Sequence, residues 1–264
     1  MNIQHNRHIL IPSAPNLRDL GGLPTTDGPV KQGVIYRSAT LSSLSDADMA
    51  QFSDLGVQTV YDLRTADEVA ASPDHLPEGV NSVELDVLAD SSLSVAANLG
   101  DLKNDPQALA SALSGGQAER LFEETYRDLV RLPSALNSYR CFYLGLLDES
   151  REGAALFHCT TGKDRTGWAA ASLLGLLGVD KEDIYADYLQ TNTDLLPALE
   201  PLLQQVEARG VDREVLMPVL GVRESYLDAA FTQLREQFGT LEAYATEGLG
   251  LSQDDLGRLR LRFR

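Results

Sequence analysis

The chain has 264 residues, of which 43% are hydrophobic, and this length suits one large α/β domain or two small ones. Its formal net charge of −17 argues against binding to nucleic acids and to anionic membranes, because both carry negative phosphates. Two cysteines and four scattered histidines provide neither a disulfide framework nor the ligand spacing of a zinc site.

The first part of the chain alternates between strand and helix patterns. β-Branched and aromatic residues in "VIYRS" (34–38) and "VQTVYDL" (57–63) predict two strands. The intervening "LSSLSDADMAQFSDLG" has a capping serine or aspartate, helical spacing and a final glycine, so it predicts a helix. "VNSVELDV" (80–87) alternates between apolar and polar residues and predicts a third strand.

The middle of the chain interrupts this pattern. Residues 88–117 are rich in Ser, Ala, Gly and Asp and poor in apolar residues, so we expect an insertion of weak helices or mobile chain outside the core. Helical periodicity returns over residues 119–147, where Cys141 lies in an apolar context and is expected to pack. The continuous apolar run "AALFHC" (154–159) then predicts a buried parallel strand.

The last third of the chain is predicted to be nearly all helical. After Asp180, helical segments are expected to be separated at Pro197, Gly210, Pro218 and Gly239. The closing "LRLRFR" alternates in a way that fits either a strand or the end of an amphipathic helix.

Strands that alternate with helices predict the fold class, which is α/β with a central, largely parallel sheet flanked by helices. We assign residues 1–264 to one domain, with an insertion over 88–137 and a helical C-terminal part over 180–264. Ligands of such sheets bind beyond the carboxyl ends of the strands. Cys159 follows one of these ends, which makes it the first candidate for a functional residue.

The sequence around Cys159, "FHCTTGKDRTG" (157–167), combines a nucleophile with groups that hold an anion. The apolar run at 168–179 predicts a helix that begins near Asp164, so the N–H groups of the preceding loop and the helix dipole favour a negative charge there. A cysteine in such a field ionises with a pKa of about 3.5–7.5 instead of about 8.5. Gly162 allows the tight turn that a phosphate cradle needs.

Side chains of this loop supply the remaining parts of phosphoryl transfer. The planar guanidinium of Arg165 fits two phosphoryl oxygens, and Lys163 adds a second positive charge. The hydroxyl of Thr166 can stabilise the departing thiolate, and His158 is expected to order the loop by hydrogen bonding. A buried, unreactive thiol is the alternative, but it leaves the charged neighbours unexplained. The predicted phosphate-binding residues are Thr160, Thr161, Gly162, Lys163, Asp164, Arg165 and Thr166.

The decapeptide "HCTTGKDRTG" resembles the signature loop of the cysteine-based protein tyrosine phosphatase superfamily. Its "GKDR" segment is similar to a bacterial branch that contains the secreted mycobacterial B-type tyrosine phosphatase and a Listeria lipid phosphatase. The resemblance implies a tyrosine-phosphatase-like fold with a helical lid within 88–137. It also implies that Cys159 takes the phosphoryl group and that water hydrolyses the cysteinyl phosphate, without metal or cofactor. Other similar stretches, in the family's order, are "NLRDLGG" (16–22), "YRSA" (36–39), "DLRTADEV" (62–69), "ADYLQTN" (186–192) and "GVRESYL" (221–227).

Two carboxylates are candidates for the general acid that protonates the leaving group. The resemblance puts Asp86, which follows the strand pattern, at a position facing the loop. Asp164 lies between two cations that favour its ionised form, whereas a bound phosphate dianion would favour the acid. We expect Asp86 to be the acid and Asp164 to be its rival or a helper in hydrolysis. Arg64 is expected to support the site, through an ion pair or through substrate contact.

The resemblance implies a phosphoric-monoester hydrolase, and we expect a protein tyrosine phosphatase of broad specificity for phosphotyrosine proteins or peptides. Lys163 is similar to a lysine of inositol-lipid phosphatases, which supports phosphoinositides as secondary substrates. A phosphoinositide phosphatase or a dual-specificity Ser/Thr/Tyr phosphatase is the alternative. Inorganic phosphate would be the product ligand. Residues 1–20 lack the apolar core of a signal peptide, so we expect a cytoplasmic location without stable membrane insertion, with export by another route as the alternative.

Overall fold

A five-stranded sheet lies at the centre of the fold. The computed structural model describes residues 7–91, 107 and 113–264. In this part of the chain the strand order is β1–β2–β5–β3–β4, with β1 antiparallel to β2 and the remaining neighbours parallel. The central, largely parallel sheet and all four predicted strands are therefore confirmed. The strands are β1 (Arg18–Asp19), β2 (Ile35–Ser38), β3 (Val57–Asp62), β4 (Asn81–Glu84) and β5 (Ala154–His158).

Helices cover both faces of the sheet and form most of the C-terminal half. α9 continues directly into a π-helix over Tyr244–Gly248. The helices are α1 (Asp46–Ser53), α2 (Ala66–Ala71), α3 (Gln117–Arg131), α4 (Pro133–Leu147), α5 (Arg165–Leu176), α6 (Lys181–Glu207), α7 (Arg213–Leu220), α8 (Glu224–Phe238), α9 (Leu241–Ala243) and α10 (Gln253–Phe263).

The side chains of β5 show how the sheet divides the interior. Successive side chains of a strand point to opposite faces, so Ala155 and Phe157 belong to the large core on one face, whereas Ala154 and Leu156 belong to the smaller core on the other. All residues of β5 are buried, as its continuous apolar pattern predicts. Because β5 lies between β2 and β3, the residue that follows it lies near the middle of the sheet's carboxyl edge.

The predicted breaks between the C-terminal helices are correct in part. Gly210 and Gly239 follow the ends of α6 and α8, as expected. Pro197 and Pro218 are a correction, because they lie inside α6 and α7. A proline removes one intrahelical hydrogen bond, but α6 buries Leu195 before Pro197 and Leu203 after it, and this packing keeps the helix continuous.

Two further predictions concern single segments. The closing "LRLRFR" belongs to α10, which ends at Phe263, so the helical alternative is the correct one. Cys141 was expected to pack, but its thiol is exposed on α4. It lines a surface cleft of about 400 Å³ with residues of β3, of β4 and of the turn that precedes β5, whereas Cys159 follows the other end of β5. The helical periodicity of α4 is carried by its other apolar residues.

Part of the predicted insertion and lid over 88–137 falls on residues 92–106 and 108–112, which lie outside the described residues. Its last part forms α3, which buries Phe122, Tyr126 and Leu129 in the large core. Among the described residues, no helix is both long enough and apolar enough to span a membrane.

Candidate active site

Cys159 lies at the start of a loop that joins β5 to α5. The last residue of β5 is His158 and the first residue of α5 is Arg165, so the helix begins where the apolar run predicts. The side chain of Cys159 is 1% exposed. Gly162 has φ +68°, and a Cβ atom built on it would lie 2.2 Å from the carbonyl oxygen of Ser38. Only glycine therefore fits this turn against the end of β2.

Hydrogen bonds from neighbouring segments hold three carbonyl oxygens of the loop on its outer side. The oxygen of Thr160 accepts a hydrogen bond from the N–H of Thr40 at 3.1 Å. The oxygens of Thr161 and Gly162 accept hydrogen bonds from the side chain of Asn16 at 3.1 and 3.0 Å. In the part of the chain that the structure describes, no N–H of residues 160–164 donates to another group. These unpaired donors form a binding site for an anion.

Arg165 is fixed by a carboxylate that comes from α2. Its two terminal nitrogens donate to Glu68 at 2.6 and 2.9 Å, and the hydroxyl of Thr160 also donates to Glu68. Burial raises the pKa of Glu68, but the hydrogen bonds and charge of Arg165 outweigh burial and lower it to about 2. Burial lowers the pKa of Arg165, but the bonds to Glu68 and the charge of Cys159 raise it above its ordinary value. Both groups are therefore ionised at neutral pH.

The side chain of Lys163 points away from the unpaired N–H groups of the loop. Its ammonium donates to the carbonyl oxygens of Val219 at 2.6 Å and Gly221 at 3.2 Å, at the end of α7. It lies 4.0 Å from the centre of the Phe122 ring, and the residue is 1% exposed. Burial lowers the pKa of Lys163, and the nearby carboxylate of Asp164 opposes this effect. The ammonium thus ties the loop to α7 and α3.

The two acid candidates have different surroundings. Asp86 accepts hydrogen bonds from the N–H of Ala66 at the start of α2 and from the N–H of Leu88, both at 3.1 Å. Asp164 lies at the end of the loop, where it accepts a hydrogen bond from the hydroxyl of Tyr126 at 3.1 Å. Both carboxylate oxygens of Asp86 thus accept from backbone N–H groups, whereas those of Asp164 contact side chains, namely the Tyr126 hydroxyl and, at 3.4 Å, the Lys163 ammonium.

His158 and Arg64 belong to a second ionic group next to Cys159. The ring of His158 lies 2.8 Å from a carboxylate oxygen of Asp74. Arg64 makes ion pairs with Asp62 at 2.6 Å and with Asp74 at 3.1 Å. Ligand atoms of Asp62, Asp74 and His158 lie within 4.8 Å of one another, and the guanidinium of Arg64 provides the positive charge for this cluster. The predicted ion-pair alternative describes the contacts of Arg64.

A third ionic group supports the loop from the side of β2. Asp187 on α6 is buried and pairs with Arg37 at 2.8 Å, Arg18 at 3.2 Å and Arg7 at 2.8 Å. Burial raises the pKa of Asp187, but the charges of these three arginines lower it far below its ordinary value. Arg37 also donates to the carbonyl oxygen of Gly162 at 2.8 Å. This carboxylate therefore anchors a side chain that touches the loop.

The structure brings Cys159, Arg165 and Asp164 together around the loop, whereas Asp86 follows β4, which is separated from β5 by β3. The hydroxyl of Thr166 is buried and has no hydrogen-bond partner in the described part of the chain. Sequence reasoning did not identify four residues that contact the loop or its supports: Asn16, Glu68, Asp74 and Asp187. Three of them, Asn16, Glu68 and Asp187, lie in stretches that carry the resemblance.

The chain matches the model of the tyrosine phosphatase family over residues 9–264. It is 32% identical over 262 residues to a protein of Cupriavidus necator named as a tyrosine-protein phosphatase, covering 98% of this chain and 89% of that protein. It is 30% identical over 274 residues to the triple specificity protein phosphatase PtpB of Mycobacterium tuberculosis, covering 95% of this chain and 96% of PtpB. A tyrosine-protein phosphatase of Nostoc commune is 27% identical over 235 residues, with 86% and 72% covered.

Proposed function

This chain belongs to the tyrosine phosphatase family, and we propose that it hydrolyses phosphate monoesters with Cys159 as the nucleophile. The observation that carries this proposal is the set of unpaired N–H groups over residues 160–164, next to a buried cysteine and a guanidinium fixed by Glu68. Unpaired N–H groups and an arginine are the donors that hold phosphoryl oxygens. No other part of the described chain combines them with a nucleophile.

In the first step, the thiolate of Cys159 attacks phosphorus. A sulfur–phosphorus bond forms while the bond from phosphorus to the ester oxygen breaks, and the ester oxygen leaves with its electron pair and takes up a proton. The N–H groups and Arg165 hold the three other oxygens and stabilise the charge that spreads over them. The positions of these donors are fixed before substrate binds, so little reorganisation accompanies the reaction.

We assign the leaving-group proton to Asp164. The sequence pattern favours Asp86, but the contacts of the two carboxylates favour Asp164, because the oxygens of Asp86 accept backbone N–H groups at α2 and at Leu88. Asp164 is 14% exposed and adjoins the loop, and the negative charge of a phosphate dianion bound there would oppose the effect of the Lys163 ammonium, which lies 3.4 Å from its carboxylate. Asp86 is the second candidate, provided that its contacts break when substrate binds.

In the second step, water attacks the phosphorus of the cysteinyl phosphate. The sulfur–phosphorus bond breaks, the thiolate re-forms, and Asp164 takes the proton that water loses. The hydroxyl of Thr166 is buried without a partner and can donate a hydrogen bond to the departing sulfur. Inorganic phosphate is the product. All groups in these two steps belong to the chain, its substrate and water.

Phosphotyrosine in proteins or peptides is the substrate class that we propose, with broad specificity. The ammonium of Lys163 is occupied by the carbonyl oxygens of Val219 and Gly221, so the lysine contributes its N–H to the loop but not a free charge for a second phosphate. The net charge of −17 also disfavours docking on anionic lipid. PtpB is named for triple specificity, which supports a dual-specificity or phosphoinositide phosphatase as the second candidate.

Turnover of an aryl phosphate in the presence of a metal chelator tests the proposed function. We expect wild type to be active, Cys159→Ser to lose at least about a thousandfold in kcat, and the matched control Cys141→Ser to keep its activity, because Cys141 is exposed and far from the loop. Equal activity of Cys159→Ser and wild type would contradict the proposal. A panel of phosphotyrosine, phosphoserine and phosphothreonine peptides and of phosphoinositides then ranks the substrate classes.

A further inference from the structure

The side chain of Asn16 has an unusual position for a residue in a loop before a strand. It is completely buried, and its backbone has φ +61°, the one positive φ of a residue other than glycine among those described. Asparagine is one of the few residues that adopt this conformation readily. The conformation directs the side chain of Asn16 at the loop that follows Cys159, 145 residues further along the chain.

The amide of Asn16 is oriented by its two sets of partners. Its oxygen accepts a hydrogen bond from the guanidinium of Arg18, which can only donate. Its nitrogen therefore faces the loop, where it donates to the carbonyl oxygens of Thr161 and Gly162 at 3.1 and 3.0 Å. Arg37 adds a second donor to Gly162, and its other terminal nitrogen binds Asp187.

Because the peptide bond is planar, these contacts also fix the direction of N–H groups in the anion site. In a trans peptide the carbonyl oxygen and the next N–H point in opposite directions. Holding the oxygens of Thr161 and Gly162 on the outer side of the loop therefore directs the N–H groups of Gly162 and Lys163 to its inner side. Those two N–H groups are among the unpaired donors of the loop. Without the outer contacts, either peptide could rotate and present an oxygen to the anion.

We propose that Asn16 and Arg37 are positioning residues for the phosphate site, because they fix the two peptide groups whose N–H donors bind the phosphoryl oxygens. The inference rests on the proposed function. Neither residue has a hydrogen bond to Cys159 among the described contacts; Asn16 is neutral and acts through the loop, whereas the charge of Arg37 also acts on Cys159 directly. Their effect is on the affinity of the loop for an oxyanion and on the ease with which Cys159 ionises.

The test compares Asn16→Gly with Arg7→Ala in a Cys141→Ser background, so that Cys159 is the one thiol present. Glycine keeps the positive φ and removes the donor without a change of charge. Arg7 binds Asp187 at 2.8 Å and reaches Asp19, but it does not touch the loop, so Arg7→Ala disturbs the same ionic group without removing a loop contact. The readouts are the inhibition constant of orthovanadate and the pH midpoint of Cys159 alkylation by iodoacetamide.

We expect Asn16→Gly to weaken orthovanadate inhibition about tenfold to a hundredfold and to move the alkylation midpoint to higher pH, because two donors lose their alignment. Arg7→Ala is expected to keep both values near those of the background protein. The same two measurements on Arg37→Lys keep the proposal testable if the glycine variant does not fold, because lysine keeps the positive charge beside Asp187 and loses the second donor that binds Gly162.

Values within about twofold of the background would overturn the role of Asn16 in a folded Asn16→Gly and the role of Arg37 in a folded Arg37→Lys. An equal loss in Arg7→Ala would also overturn the proposal, since the effect would then come from the ionic group as a whole. Orthovanadate inhibition of the background protein distinguishes a failure of this proposal from a failure of the proposed function. If orthovanadate does not inhibit that protein, the phosphate site itself is contradicted, whatever the variants do.

Discussion

Glu68 binds both terminal nitrogens of Arg165, at 2.6 and 2.9 Å, across 97 residues of sequence. Two parallel hydrogen bonds fix the plane of a guanidinium as well as its position. They leave Nε as the nitrogen of Arg165 without a partner in the part of the chain that the structure describes. Glu68 thereby decides which edge of the arginine faces a phosphoryl group. Its place at the start of α2 is fixed in turn by its bond from the N–H of Thr65 at 2.9 Å.

Replacing Glu68 by glutamine should reduce kcat more than it changes KM. Glutamine keeps the size of the side chain but loses the charge that holds Arg165, and we expect kcat for an aryl phosphate to fall about tenfold to a hundredfold. Asp67→Asn is the matched control, because Asp67 is exposed on the same turn and undergoes the same change of charge. Steady-state kinetics of the two variants are compared with wild type. Equal kcat in Glu68→Gln and wild type would show that Arg165 is oriented without Glu68.

The same ion pair should make the fold sensitive to acid. The pKa of Glu68 is lowered from 4.5 to about 2, so the stabilisation is complete above the ordinary pKa and is lost as the pH falls from about 4.5 towards 2. From this shift, we expect Glu68→Gln to lose about 3 kcal/mol of unfolding free energy at pH 7 and little at pH 2. Urea unfolding of both proteins at several pH values measures the difference. A constant difference between pH 7 and pH 3 would contradict the linkage to this carboxylate.

Asp164→Asn and Asp86→Asn should differ in their response to the leaving group. A general acid matters most for a substrate whose leaving group is a poor one, and its loss typically costs about a hundredfold to ten-thousandfold in rate. We expect Asp164→Asn to show this loss with phenyl phosphate and a much smaller loss with p-nitrophenyl phosphate, whose leaving group needs little protonation. Asp86→Asn should affect both substrates alike and modestly. A larger loss with phenyl phosphate than with p-nitrophenyl phosphate in Asp86→Asn instead of Asp164→Asn would assign the proton to Asp86. The alkaline limb of the pH–rate profile should then be lost in Asp86→Asn as well.

Lys163→Met should act on stability more than on substrate choice. The variant leaves the buried carbonyl oxygens of Val219 and Gly221 without their donor, which we expect to cost about 1–3 kcal/mol of unfolding free energy. The ratio of phosphotyrosine to phosphoinositide turnover should stay near the wild-type ratio. Lys181→Met, at a lysine whose side chain is 73% exposed, is the control for loss of a positive charge. A selective loss of phosphoinositide turnover in Lys163→Met would mean that the ammonium reaches substrate.

The elements around the loop are predictable because their signals are local. The apolar run before Cys159 and the apolar helix after Arg165 are each encoded within about a dozen residues, and the structure has β5 and α5 at those places. The proline positions are not predictable in this way. Whether Pro197 ends a helix depends on how strongly its flanking turns pack, and that packing is set by the rest of the core.

The residues that support the loop could not be predicted from local sequence patterns. The spacing of Thr65 and Glu68 indicates a capping box, which is present, but it contains no sign that Glu68 also binds Arg165. Likewise Asp187 lies on an amphipathic helix, and nothing near it in sequence points to Arg37. Such pairs arise when a fold brings distant segments together. The exposure of Cys141 was missed for a related reason, since periodicity locates a helix more reliably than it locates the edge of the buried face.

The contact between Gly162 and Ser38 limits which substitutions can change the substrate specificity of this protein. No side chain fits at position 162, because even a Cβ atom would lie 2.2 Å from the backbone oxygen of Ser38. The base of the loop and the end of β2 therefore form one rigid unit that selection cannot widen by substituting residue 162. A mutational library that aims at bulkier phosphate esters should hold this position constant. It should vary the rim, where residues from α2, α3 and the end of α7 approach the loop, and new specificity in relatives is expected to arise there.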